Sequence, residues 1–444
     1  VSWNRPVYNA SQSPSMSFIP PLGRLVTRIR LPLICFSAVS VSLPMAWISL
    51  AKLMLFLFGL TFLVMQLVSQ RDDKALFQLR SLWIILFALL AFSLSLTWSS
   101  AAEDVAPMSL VKHGKLLEIG LLVCLIRSET EARTAIAAFL VAQAVFLASS
   151  WAMAVGIPIP WASSAWATIP QFRYVVYSTY LDQSIIFATS SAIFWHLRGT
   201  WSKFKGLAVC TSVLALANVL LLLEGRTGYV VALAMIALAV MWTMPSRFRL
   251  AAAVLVPAIV MAAAIGGSSK MSQRWSDMMA ESQNYSAQGT SNSSSGFRLN
   301  AWRRSLQAIA QEPIAGHGVG GWTAAVKHLE GASANQVFGE NVASNPHQEY
   351  LLWGVELGAG GLLLLLILFS SLVRDALQFT QPVMRATVSV VAAAAIACLF
   401  NSSLYDALVG DFFCVALGLL MAMGLRSKST DVTTIQNMHL KAIQ

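Results

Sequence analysis

Histidine and arginine are the residues of this chain whose placement could do chemistry. His347 sits in Asn345-Pro346-His347-Gln348-Glu349-Tyr350, where a long polar segment meets an apolar run. A neutral imidazole accepts a proton near pH 7, its unperturbed pKa being about 6.5. Pro346 can open a helix, which predicts His347 in a rigid first turn; the competing role is structural. Arg226 lies in Glu224-Gly225-Arg226-Thr227-Gly228-Tyr229, a tight turn between two apolar runs, and Arg298 opens the helical segment Gly296-Phe297-Arg298-Leu299-Asn300-Ala301-Trp302. A guanidinium is planar, permanently charged and grips phosphate through two parallel N–H donors. Plainer roles fit as well: an interfacial arginine snorkelling to headgroups for Arg226, and a solvated helix face for Arg298, Arg303 and Arg304.

The other histidines are less well placed, and no H-x-x-x-H or histidine–carboxylate cluster reads as a metal site. Gly316-His317-Gly318-Val319-Gly320-Gly321 looks like a dinucleotide loop, but no βαβ unit surrounds it. A glycine-dependent turn is the better account. Asp406 and Asp411 stand between the last two apolar runs, where they could orient a histidine or a sugar; wet loop residues are the favoured reading. No metal and no cofactor are expected.

These residues need elements to position them. The chain has 444 residues, 57% hydrophobic and 11% charged, against about 25% charged in soluble domains. Apolar runs of about 20 residues, each enough to cross a core of roughly 30 Å, recur along it. Lipid offers backbone groups no partner, so spans must be helices or closed barrels, and the runs are too long and continuous for barrel strands. Twelve spans are predicted, at 31–47, 49–69, 81–98, 109–126, 134–155, 182–197, 206–223, 227–243, 249–265, 348–370, 385–401 and 409–425. The fourth is the weakest, holding Lys112, His113, Lys115 and Glu118. The expected fold is an all-α polytopic membrane protein of about twelve transmembrane helices. Its parts are a tail at 1–30, helices over 31–265, one large, partly helical outer loop at 266–346, helices over 347–425 and a tail at 426–444. No internal repeat is evident.

Orientation follows from positive charge, which favours the cytoplasmic side. With the N-terminus inside, 19 of the 30 lysines and arginines fall in inside segments, and outside the long loop the opposite face keeps only Lys52, Lys112, Lys115, Arg173 and Arg226. Both termini are therefore expected in the cytoplasm and the long loop outside. The net charge of +10 is explained by topology, so nucleic acid is not an expected partner; membrane lipids are. The five cysteines lie in apolar runs without a C-x-x-C pair and read as packing residues. The outer segment 156–181 is rich in Trp, Tyr and Pro, as suits a membrane interface.

Taken with its motifs, the chain resembles the O-antigen ligase and polymerase superfamily. The resemblance rests on the spans, the late outer loop, and His347-Gln348 followed after nine residues by Gly358-Ala359-Gly360-Gly361. It is similar to the ligase signature of His, then Asn, Ser or Gln, nine residues, and Gly-x-x-Gly, Thr or Tyr. The Arg-Thr-Gly turn at Arg226, and Arg298-x-x-x-Trp302 leading to Glu312-Pro313-x-x-Gly316-x-Gly318, match the wider superfamily. The resemblance implies a glycosyltransferase C type fold in the bacterial inner membrane and a periplasmic active site. It also implies transfer of O-antigen polysaccharide from undecaprenyl pyrophosphate to lipid A–core oligosaccharide without a metal. The family's essential histidine falls on His347 and its two arginines on Arg226 and Arg298. Arg303, Arg173, Gln348, Tyr350 and Asp406 are secondary candidates for substrate binding.

The chemistry agrees with that placement. Charge builds on the lipid pyrophosphate as it leaves, and preorganised cations stabilise it, while a base must take the proton of the accepting hydroxyl. The rivals are an O-antigen polymerase, a protein O-oligosaccharyltransferase and, in a different class, a secondary transporter or flippase. Transporters carry ionisable groups near mid-membrane or inverted repeats, whereas the ionisable residues here gather at one face.

Overall fold

A computed structural model describes residues 20–68, 78–267, 272–273, 275–276, 279–280, 294–330 and 345–443. In chain order the helices are α1 (Pro20–Ser40), α2 (Met45–Val68), α3 (Arg80–Ser95), α4 (Val105–Gly114), α5 (Leu117–Leu125), α6 (Glu129–Ala154), α7 (Tyr180–Leu197), α8 (Lys205–Ala217), α9 (Arg226–Thr243), α10 (Arg249–Gly267), α11 (Ser294–Gln311), α12 (Trp322–Glu330), α13 (Glu349–Ala376), α14 (Gln381–Phe400) and α15 (Ala407–Ile443). Among the described residues, nine helices are long and apolar enough to cross a membrane: α2, α3, α6, α8 with its π-helical end, α9, α10, α13, α14 and the first part of α15. Among the described residues all secondary structure is helical, which fits a multi-pass membrane protein. The expected N-terminal tail and the polar stretch from Ser291 fall mostly outside the described residues.

The expected spans outside those nine show how context overrides composition. α7 carries Asp182, Gln183, Ser184, Thr189, Ser190 and Ser191, which lipid would penalise. It packs against α8, α9 and α14, so its polar groups meet protein. Gln183 Nε2 donates to Ser150 Oγ at 3.0 Å and its Oε1 accepts from Val176 N at 2.9 Å. Asn218, in the π turn Asn218–Leu222 that ends α8, reaches the same Ser150 Oγ at 3.1 Å. This buried network ties the 156–179 connection onto α6, α7 and α8.

The fourth expected span, 109–126, is corrected. It is two helices, α4 and α5, broken at Lys115 and Leu116. Its charged residues are spent on distant partners. His113 Nε2 lies 2.8 Å from Glu356 Oε2, with its ring stacked on Phe92 at 3.9 Å. Lys115 Nζ donates to the carbonyls of Tyr405 and Asp406 at 3.2 and 2.6 Å. Asp411 is corrected too: it is a buried residue of α15, not a wet loop residue, and Lys52 Nζ donates to both its oxygens at 2.6 and 2.7 Å.

α11 and α12 fold back onto α13. Ala301, Ala308, Trp322, Ala325 and Val326 make a small core with Leu352, Val355 and Tyr405, and Trp322 Nε1 donates to Ser305 Oγ at 2.8 Å. The glycine-rich turn between α11 and α12 is wedged between α3 and α13. His317 N and Gly318 N donate to Val355 O and Glu356 O at 2.7 and 2.9 Å, and Ala359 N donates to Pro313 O at 2.8 Å. Those carbonyls are available because α13 breaks at Gly358, whose φ of 65° and ψ of −159° are not helical. A Cβ on Gly358 would stand 2.6 Å from Pro313 O and Ile314 O, and one on Gly316 would stand 2.5 Å from Gly358 N. The glycines of the two motifs thus interlock, and the expected glycine-dependent turn is present. Gly358→Ala should destabilise the protein by at least about 1–3 kcal/mol, the cost of a backbone region reserved for glycine, before the clash is added. Thermal unfolding in detergent should show a clear drop in midpoint, whereas Gly360→Ala, with open space around its Cβ, should be nearly silent.

Candidate active site

Arg226 is the first residue of α9. The glycines around it let the turn press against α7: a Cβ on Gly225 or Gly228 would fall 2.1 or 2.3 Å from Ser184 Oγ. Any larger residue would push the start of α9 away. The Glu224–Tyr229 motif is therefore a packing device that sets where Arg226 begins its helix, and Tyr229 Oη donates to Leu223 O at 2.6 Å to close it.

Arg298 reaches the same place from α11. Its Nη2 donates to Asn401 Oδ1 at 3.3 Å, and Asn401 Nδ2 donates to Thr227 Oγ1 at 3.1 Å. Asn401 caps the C-terminus of α14, so one amide joins α11, α14 and α9. Burial pulls the Arg298 pKa down, and the neighbouring Arg226 charge adds to the effect. Arg298 and Arg226 thus lie close enough for their charges to interact, an arrangement of guanidinium donors that could meet a phosphate.

His347 stands beside them, in a different local structure from the one expected. It is not in the first turn of α13. That helix starts at Glu349 with Gln348 as its N-cap, and His347 precedes the cap with φ 50°. Asn345 explains this: its Oδ1 accepts from His347 N at 2.9 Å, an Asx-type turn, and also from Ser402 Oγ at 3.0 Å. The imidazole faces Phe297 edge-on, 6.1 Å between centroids. It is half-buried. Burial lowers its pKa below the usual histidine value, and Arg298 lowers it further. Both effects favour the neutral imidazole beside Arg298.

The turn between α14 and α15 is the hub. Besides Asn401 and Ser402, its Leu404 and Tyr405 amides both donate to Glu349 Oε2 at 3.1 Å. Asp406 has its carboxyl pushed up to about 7, chiefly by burial and then by Asp182 and Glu349.

The remaining candidates have mixed placements. Gln348 Oε1 accepts from Leu351 N at 2.5 Å, and Tyr350 Oη donates to Ala395 O at 3.1 Å, so both side chains are engaged within the helical frame. Arg173 is exposed and donates to Ala154 O at 2.9 Å; Arg303 is exposed on α11. Sequence reasoning missed Asn345, Thr227, Asn401, Ser402 and Glu349. Only a polar residue closing an apolar run, as Asn401 does, hinted at them. Among the described residues, no group of three or more His, Cys, Asp or Glu is gathered in a way that could hold a metal ion.

Residues 210–366 match the family model described as O-antigen ligase. Over that stretch the chain is similar to the O-antigen ligase family. The matched stretch contains Arg226, Arg298, His347 and the Gly358 break, and ends before Asn401. That family is one of glycosyltransferase-like enzymes in O-antigen and polysaccharide assembly, whose partners in general are lipid-linked polysaccharide and lipid A–core. No curated protein matches the chain.

Proposed function

We propose that the protein is an O-antigen ligase. It transfers O-antigen polysaccharide from undecaprenyl pyrophosphate to a sugar hydroxyl of lipid A–core, at the periplasmic face of the bacterial inner membrane. Twelve helical passes, the α4–α5 pair counted as one, leave both termini in the cytoplasm. The observation that carries the reading is the convergence of His347 with Arg226 and Arg298, linked through Asn401 and Thr227.

Each group has a task. Arg226 and Arg298 hold the pyrophosphate and meet the negative charge that grows on it as the anomeric carbon–oxygen bond breaks; fixed cations in a water-poor site do this without reorganising. His347 takes the proton of the acceptor hydroxyl as that oxygen bonds to the anomeric carbon. Undecaprenyl pyrophosphate leaves, and one direct displacement inverts the anomeric centre. The scheme is metal-independent because the two guanidinium groups supply the cationic charge. Asp406, half-buried near the cluster, is assigned to hydrogen-bonding a sugar. Arg173 and Arg303, exposed outside the cluster, are assigned to the glycan farther from the bond that breaks. Gln348 and Tyr350 are assigned to support.

The lowered His347 pKa gives a pH prediction. The base form survives below the ordinary histidine range, so the acid limb of the pH–rate profile should fall below about 6.5. A limb at or above that value would contradict a buried base beside Arg298.

The test of the function is reconstitution. Purified protein with undecaprenyl-pyrophosphate-linked glycan and lipid A–core should yield glycan-bearing lipid A–core, without ATP or added metal. If glycan chains lengthen while lipid A–core is left untouched, the polymerase reading replaces this one.

A further inference from the structure

The two arginines come from elements far apart in sequence, and like charges drive them apart. Asn401 stands between their supports. Guanidinium offers only donors, so the amide must turn its oxygen toward Arg298, which leaves Nδ2 to donate to Thr227 Oγ1. The amide's orientation is thereby fixed. Asn401 is itself anchored: its own N–H donates to Ala397 O at 2.9 Å, and its neighbour Ser402 bonds Asn345, the residue that turns His347. Glu349 and Lys115 pin the rest of the turn from either side.

The chemistry of the bridge is as telling as its position. A carboxylate there would hold Arg298 more tightly, but it would neutralise the charge a phosphate needs. A neutral amide orients the guanidinium and leaves its charge unspent. From this geometry we infer that Asn401 is a positioning residue: it sets the spacing and pitch of Arg298 relative to the Arg226 turn, and so determines affinity for the pyrophosphate of the lipid donor. The inference rests on the proposed function, since it concerns the same site. Asn401 acts through Arg298, and the acceptor does not depend on it.

The isosteric variant Asn401→Asp tests this. It keeps the shape and places a carboxylate against Arg298. Binding of undecaprenyl pyrophosphate without glycan, measured by titration calorimetry in detergent, should weaken by about 10- to 100-fold, the worth of one charge-assisted hydrogen bond. The KM for lipid A–core should stay within about twofold of the parent. Thr227→Val, which keeps the volume and removes the acceptor of the Nδ2 bond, should weaken the same probe less, in the same direction. It also serves as the test if the Asp variant fails to fold. An Asn401→Ala/Arg298→Lys double-mutant cycle should be non-additive. Unchanged probe affinity in both Asn401→Asp and Thr227→Val overturns the inference. So does an equal rise in the acceptor KM, or additive effects in the cycle. If Arg298→Ala also leaves probe binding intact, the proposed function fails with it; if Arg298→Ala abolishes binding while Asn401→Asp does not, only the positioning role fails.

Discussion

His347→Ala should lower the rate of glycan transfer by about 10²–10⁴-fold, the usual contribution of a positioned general base. A sugar hydroxyl is a poor nucleophile until its proton has somewhere to go. His347 is suited to take it because burial and Arg298 keep the imidazole neutral. The substitution should spare the fold. The bond that shapes the turn comes from the His347 main-chain N–H to Asn345 Oδ1, and alanine keeps that donor. Histidine tolerates the positive φ at this position somewhat better than alanine, so the expected loss of stability is small. Rates from the reconstituted reaction, set beside the thermal midpoint, separate the two effects. Parent-like transfer in His347→Ala would remove the base from the mechanism.

Arg226→Lys should weaken donor binding by about 10- to 100-fold, because lysine keeps the charge and loses the bidentate fork that a phosphate needs. The backbone leaves little room for compensation. Gly225 and Gly228 lock the start of α9 against Ser184, so a lysine ammonium cannot be brought closer by shifting the turn. Unchanged donor affinity would show that Arg226 is an interfacial arginine without a phosphate contact. The cost should exceed that of Arg303→Lys, since Arg303 lies exposed on α11.

Much of the frame was legible in the apolar runs. The predicted spans 227–243, 249–265 and 385–401 fall within a few residues of α9, α10 and α14, because lipid imposes a strict rule on length and polarity. The rule fails where protein replaces lipid. α4 and α5 break at Lys115 because that lysine reaches the carbonyls of Tyr405 and Asp406, partners nearly 300 positions away that no local pattern announces. α7, predicted as the span 182–197, likewise turns its polar residues to protein partners such as Ser150. Residue type marked His347, Arg226 and Arg298 as candidates, and the family resemblance singled them out. Their second layer was not legible. Asn401 becomes visible only when α11, α14 and α9 are brought together, and the left-handed turn at His347 needs both Asn345 and Ser402. The glycine signature was read as a motif; its physical content, the fit of Gly316 against Gly358, appears only once α13 and the turn before α12 touch.

In the proposed mechanism arginines bind the donor and a histidine takes a proton. Donor dissociation constant and transfer rate, measured in the same preparations of His347→Ala and Arg298→Ala, separate these two roles. His347→Ala should keep the parent's donor affinity and lose transfer, while Arg298→Ala should lose donor affinity itself. Equal loss of donor affinity in both variants, or transfer at the parent rate in His347→Ala, would contradict that mechanism.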